Sequence, residues 1–167
     1  MSYTLEQFAA DCHDALKADN GPGGREQVRQ HLEKALKDQD FVNAYLGPDA
    51  TAEREIIYED PELGFCICAH VYEGKKHGQP HDHGPTWAIY GQAAGETEMT
   101  DWKIVSPPDG IIPGKVEKVK SYILKPGDAH LYEPGDVHAP LREGSTKLIR
   151  IEGSNTEKIE RTPLQAA

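Results

Sequence analysis

From residue 51 onward the chain breaks into short segments of alternating hydrophobicity, separated every few residues by glycine or proline. That pattern restricts it to an all-β sandwich or a small barrel. The segments predicted as strands are 55–58, 65–72, 86–93, 96–105, 116–124, 129–132 and 147–151. Between them stand Asp60-Pro61, Gly78, Gly95, Pro107-Pro108-Asp109-Gly110, Pro126-Gly127, Pro134-Gly135 and Gly144. The first 50 residues read differently. Thr4 and Gln7 have the spacing of a capping box, and Leu5, Phe8, Ala9, Cys12, Ala15 and Leu16 follow a helical stripe. The run Asn20-Gly21-Pro22-Gly23-Gly24 is expected to end that helix; no Gly-Lys-Ser/Thr follows, so it is not a phosphate loop. A second helix is predicted over 25–37 with a continuation to Leu46, before Gly47-Pro48. The expected organisation is helices over 1–50 packed on a barrel of 51–153, then a polar surface tail over 154–167.

Charge and cysteine content narrow the function classes. A formal net charge of −10 argues against a nucleic-acid partner, which needs a clustered basic face. No apolar run approaches the roughly 20 residues of a membrane span. The first residues lack a basic and apolar leader pattern, and a cytoplasmic setting is the expectation. Cys12, Cys66 and Cys68 are an odd set without a CxxC pair, which supports neither a disulfide framework nor a thiolate zinc site.

Histidine is where the chemistry concentrates. In Pro80-His81-Asp82-His83-Gly84 the two imidazoles are two residues apart, so in a strand both point to one face and reach one ion. Neutral imidazole ligates iron, zinc, copper or nickel. Downstream, Gly127, Gly135 and His138 stand as Gly-(seven residues)-Gly-x-x-His. The residues alone leave open whether the third ligand is His138 or His130, or whether a metal binds at all.

Together the two patterns, with Gly95 after the first, resemble the paired motifs of the cupins, in their usual order, across about 54–152. The resemblance implies a mainly β fold, a cupin double-stranded β-helix (jelly-roll barrel) preceded by an N-terminal helical segment, with His138 facing His81 and His83. The glutamate that common cupins carry shortly after the second histidine is absent; Trp87 and Ala88 stand there. In that respect, and in His-Asp-His-Gly, the chain resembles the three-histidine site of cysteine-dioxygenase-like proteins. That likeness implies Fe(II), with nickel, manganese or zinc as other occupants, and a dioxygenase using O2 and a small-molecule substrate. Three neutral ligands leave a dication electrophilic and positions open.

Other residues are read against that frame. The segment 65–72 has an apolar face (Phe65, Ile67, Ala69, Val71) and a second face of Cys66, Cys68, His70 and Tyr72. If the second face lines the pocket, His70 and Tyr72 are catalytic candidates; the plainer reading is a satisfied core histidine and a rim tyrosine. Arg150 shares a face with Glu152, and either holds a substrate carboxylate or pairs with that glutamate. Tyr90 shares parity with Ala88 and can reach the pocket. Arg54 lies near where the resembled family keeps a carboxylate-binding arginine. The serine–histidine–tyrosine trio of cysteine dioxygenases has no counterpart around Arg150, and their crosslinking cysteine is replaced by Ala88. Thiol acids such as cysteine or mercaptopropionate are the first substrate class that the likeness implies, and the missing tyrosine makes diketones or hydroxyaromatics, which need none, the second. An O2-independent metal-dependent lyase or isomerase, or a ligand-binding sensor, is the alternative, and the fold admits a homodimer.

Overall fold

Thr4 caps the first helix as its spacing implies. Its Oγ1 accepts from the Gln7 backbone N–H at 3.2 Å, and the Gln7 side chain accepts from the Thr4 N–H at 3.0 Å. The computed structural model of the chain describes residues 2–167. Helix α1 spans Leu5–Ala18, α2 Pro22–Leu36 and α3 Gln39–Leu46. Helix α2 begins three residues earlier than the predicted 25, with Gly23 and Gly24 inside it. Proline suits the first turn, where its missing N–H is not needed. Gly24 is required because a Cβ there would lie 1.7 Å from the Asp19 carbonyl oxygen, so only glycine lets the α1–α2 corner close this tightly.

Ten strands follow: β1 Glu55–Glu59, β2 Cys66–Tyr72, β3 Lys76–His77, β4 Ala88–Ala94, β5 Thr97–Ser106, β6 Gly114–Leu124, β7 Ala129–Tyr132, β8 Val137–Arg142, β9 Thr146–Glu152 and β10 Leu164–Ala166. They form two five-stranded sheets, ordered β1-β2-β9-β4-β7 and β10-β6-β5-β8-β3. From β4 to β9 the chain passes back and forth between the sheets, which makes the double-stranded β-helix. Three of these strands are absent from the sequence reading. Strand β8 contains Pro140, which cannot donate to a ladder; its carbonyl instead accepts from the Gly78 N–H at 2.7 Å. Strands β3 and β10 are two and three residues long and carry no periodicity to read. Through β10, which runs parallel to β6, the tail joins the second sheet.

The two faces of the first sheet divide the labour. Phe65, Ile67, Ala69 and Val71 of β2, Ile89 of β4, and Ile149 and Ile151 of β9 pack under the helices against Phe8, Leu32 and Phe41. Fully burying a side chain such as Leu32 stabilises by roughly 1.5–3 kcal/mol. Gly91 lets α2 approach, since a Cβ there would meet Leu32 and Leu36 at 2.8 Å. The opposite face turns into the barrel and is mostly polar. Register aligns Cys68, Arg150, Tyr90 and His130 in one cross-strand row. The apolar cluster inside the barrel comprises Ala88, Tyr90, Met99, Leu124 and Tyr132.

Candidate metal centre and its cavity

His81 and His138 are held opposite each other by a two-way backbone bridge, N–H to C=O at 3.0 and 2.9 Å. His83 follows, and Gly84 turns the chain with φ +60°, a conformation that side-chain-bearing residues rarely adopt. One ligand atom from each of the three histidines lies within 4.8 Å of the other two. No second group of ligating residues of this kind occurs among the described residues, so neither Cys66/Cys68/His70 nor His130 forms a competing site. His130 is instead stacked between Tyr122 and Tyr132, and Tyr132 stacks on His138 with centroids 4.0 Å apart.

The electrostatics favour neutral, ligating imidazoles. Burial pushes His81 down to about 4 and His83 to about 3, with Arg150 adding to the depression. His138 is pushed the same way, by burial and by its two histidine neighbours. The His81 Nδ1–H donates to the Gln79 carbonyl at 2.8 Å, and that of His138 faces the Asp136 carbonyl at 3.3 Å. Both hydrogen bonds leave Nε2 as the free donor atom.

A cation fits this set, and the hydrogen-bond pattern says why. The Nε2 atoms of His83 and His138 are 3.2 Å apart, and the Tyr90 hydroxyl stands 3.1 and 3.3 Å from them. His83 Nδ1 is buried without a partner. If His83 is protonated on Nδ1, that N–H is stranded and two lone pairs face each other. If it is protonated on Nε2, the lone pair on Nδ1 is stranded. A divalent ion accepting both Nε2 lone pairs removes the facing-lone-pair conflict. Ligands about 2.0–2.1 Å from such an ion at 90–109° sit roughly 2.8–3.4 Å apart, a range that includes the 3.2 Å His83–His138 separation.

Around the cluster the expected residues separate into two groups. Tyr90 lies within it, and Arg150 donates to its hydroxyl from Nη1 at 3.3 Å. Tyr72, Tyr90, His81 and Arg150 line one cavity of about 320 Å³. His70 does not line it. Its Nδ1–H donates to the Glu53 carbonyl at 2.7 Å, it is 2% exposed, and burial holds it down to about 3. Arg54 turns to Glu152 in a two-pronged pair, both contacts at 2.9 Å, and does not line the cavity either. Glu152 is fully buried. Burial would raise its carboxyl, but the Arg54 hydrogen bonds and the Arg150 charge at 2.7 Å outweigh that and hold it at about 2.

Arg142, Arg161, Lys76 and Gln79 line the same cavity and were missed in the sequence. A signal existed for Arg142, which lies four residues beyond His138 and so on the same face of its strand. None marked Arg161.

The two sheets form a double-stranded β-helix with three histidines converging inside it. No protein-family profile matches this chain, and no curated protein matches it. Among solved structures, the KdgF protein of Halomonas sp. is 18% identical over 59% of this chain and 74% of its own, with a TM-score of 0.44. An uncharacterised double-stranded β-helix protein of Klebsiella pneumoniae is 17% identical over 74% and 88%, at 0.48. The DMSP lyase DddQ of Ruegeria pomeroyi is 16% identical over 61% and 44%, at 0.44. No helix of the described residues is long and apolar enough to cross a membrane.

Proposed function

We propose that this chain is a non-haem iron-dependent dioxygenase that oxidises a small polar organic substrate in the cavity beside its three histidines. The observation that carries the reading is the ligand set itself: three neutral imidazoles and no carboxylate among the described residues of the cluster. Iron(II) held there would retain its full charge and supply electron transfer between a coordinated substrate and O2. Nickel, manganese or zinc would fit the same ligands.

The chain's own residues do the rest. Arg150 presents a cation at the Tyr90 hydroxyl and is itself oriented by Glu152 at 2.7 Å, so a substrate carboxylate has a fixed partner next to the ligand atoms. The Tyr90 hydroxyl holds a proton 3.1–3.3 Å from two ligand nitrogens, close enough to donate to a substrate atom bound there. Tyr72 stands farther out as a wall. The interior position of the site, with His83 and His138 buried, excludes most water. Thiol acids are the first substrates to test, diketones and hydroxyaromatics the second.

The test is anaerobic reconstitution with Fe(II), addition of those candidate classes, and oxygen uptake at an electrode. Uptake coupled to product formation supports the proposal; a metal-dependent product without uptake overturns it. His83→Ala should abolish stoichiometric iron binding, and full retained occupancy would remove the metal centre from the argument. One observation favours a second reading, an O2-independent lyase or isomerase: the Tyr90 hydroxyl sits between Arg150 and two of the histidines, placed to exchange a proton with a bound substrate.

A further inference from the structure

We infer that the cavity is a two-point anion site, in which Arg150 takes one carboxylate beside the histidines and Arg142 with Arg161 takes a second, making the ligand a small dicarboxylate. This rests on the reading of the histidines as a catalytic metal centre and names the substrate class for it.

The charge distribution is the first support. The chain carries a net charge of −10, yet the cavity is lined by Arg142, Arg150, Arg161 and Lys76 and by no carboxylate. Arg150 is compensated by Glu152, and Lys76 faces Glu53 at 3.4 Å. Arg142 and Arg161 make no ion pair or hydrogen bond through their guanidinium groups among the described residues. Arg142 is 4% exposed, and its Nε is buried without a partner. That Nε has lost water and gained no hydrogen bond, while the rest of the guanidinium borders the cavity with no anionic partner. The Tyr72 ring lies against it at 4.6 Å, and Lys76 approaches the same ring at 4.7 Å. Two cations flanking one ring repel each other, and an anion between them and Arg161 relieves both problems.

Spacing gives the second support. Arg142 and His138 share β8, four residues apart, which puts their Cα atoms about 13 Å apart along the strand. Arg150 stands at the histidine end of the cavity, on the facing sheet. A ligand that reaches both needs anionic groups at its two ends. The cavity volume of about 320 Å³ suits a short-chain diacid. The planar fork of each guanidinium matches a carboxylate.

The third support is how Arg161 arrives. It belongs to the segment after β9, which crosses the metal-ligand loop. Asp82, between the two ligands His81 and His83 and 2% exposed, accepts at one oxygen from both the Gly84 and Thr162 N–H groups at 3.1 Å. A Cβ at Gly84 would lie 2.7 Å from the Glu160 carbonyl oxygen. The strap is thus fitted against the loop, and Arg161 is a specificity-determining residue supplied by it.

Calorimetric titration of the zinc-loaded protein without O2 tests this, with succinate and glutarate as diacids and butyrate as the equal-length monoacid. Succinate or glutarate is expected to bind at least tenfold more tightly than butyrate. Arg161→Ala, an exposed change that spares the core, and Arg142→Gln should each cost the diacids about tenfold or more and leave butyrate unchanged. Arg142→Lys, which keeps a charge in case the glutamine variant fails to fold, should lose less than tenfold. Equal affinity for diacid and monoacid, no binding of either, or equal losses for both ligands in Arg161→Ala would overturn the inference. Because no turnover is involved, a failed oxygen-uptake assay leaves this result standing, and a failed titration leaves the oxygen assay untouched.

Discussion

Taking the metal-free protein from about pH 7.5 to about pH 5.5 tests whether the fold itself, and not a bound cation, holds the site's histidines neutral. His70, His81 and His83 have folded values of about 3, about 4 and about 3, and His138 is also well below its ordinary value. The unfolded chain titrates near 6.5, so on acidification it takes up protons first. Stability is therefore at its full value above about pH 6.5 and falls as the pH descends towards the folded values. At about pH 5.5 His70, His81 and His83 should each cost about 1 kcal/mol, a few kcal/mol together, with His138 adding in the same direction. That is comparable with the whole stability of a weak domain. Glu152, held at about 2 in the fold, keeps its contribution throughout this window. Urea unfolding in the presence of a chelator, followed by tryptophan fluorescence at both pH values, measures the difference. His70→Gln, which lies off the metal cluster, should shrink it by about 1 kcal/mol. A total loss below about 1 kcal/mol, one histidine's worth, would refute the reasoning, because burial would then not be setting the protonation of these rings.

Tyr90→Phe removes the hydroxyl lying between His83, His138 and Arg150; turnover should fall about 100-fold or more while metal content, read by elemental analysis, stays at one per chain. Glu152→Gln leaves Arg54 and Arg150 without their shared buried carboxylate and should destabilise the fold by about 3–5 kcal/mol in urea, a loss under 1 kcal/mol counting against the network. Gly91→Ala drives a methyl into Leu32 and Leu36 at 2.8 Å and should cost about 1–3 kcal/mol, with unchanged metal binding because the contact is on the helix side of the sheet.

The parts of this molecule that could be read in advance are those whose chemistry imposes a spacing. His81 and His83 must be two apart to share a strand face, and 65–72 must alternate to put Phe65 under the helices and Cys68 and His70 inside. Those constraints survive in the sequence as periods. The strand that carries His138 does not announce itself, because Pro140 breaks its donor pattern and one of its two partners, β3, is two residues long. Parity also says which face a side chain takes but not how far along the barrel it sits. Thus His70 and Tyr72 share a face, yet Tyr72 lines the cavity while His70 is sealed against the Glu53 carbonyl. Arg54 and Arg150 both look like anion binders in the sequence, and the structure gives each a side of the same carboxylate, leaving Arg150 facing the cavity.

Arg161 is the extreme case, since no period relates it to anything. Its position is set by tertiary contacts on the residues that follow it, the Thr162 N–H donating to the Asp82 side chain some 80 residues away in sequence and the Pro163 carbonyl accepting from the Gly114 N–H at 2.8 Å. The bond to Asp82 has a consequence for how the site works. Asp82 also ties down Gly84, so the turn that aims His83 and the strap that carries Arg161 rest on the same oxygen. The ligand loop and the strap on the cavity's outer rim are therefore tied through one carboxylate oxygen. Substituting Asp82 by Ala should loosen both together: metal affinity and diacid affinity should fall in the same variant, although Asp82 is neither one of the three ligating residues nor part of the cavity lining.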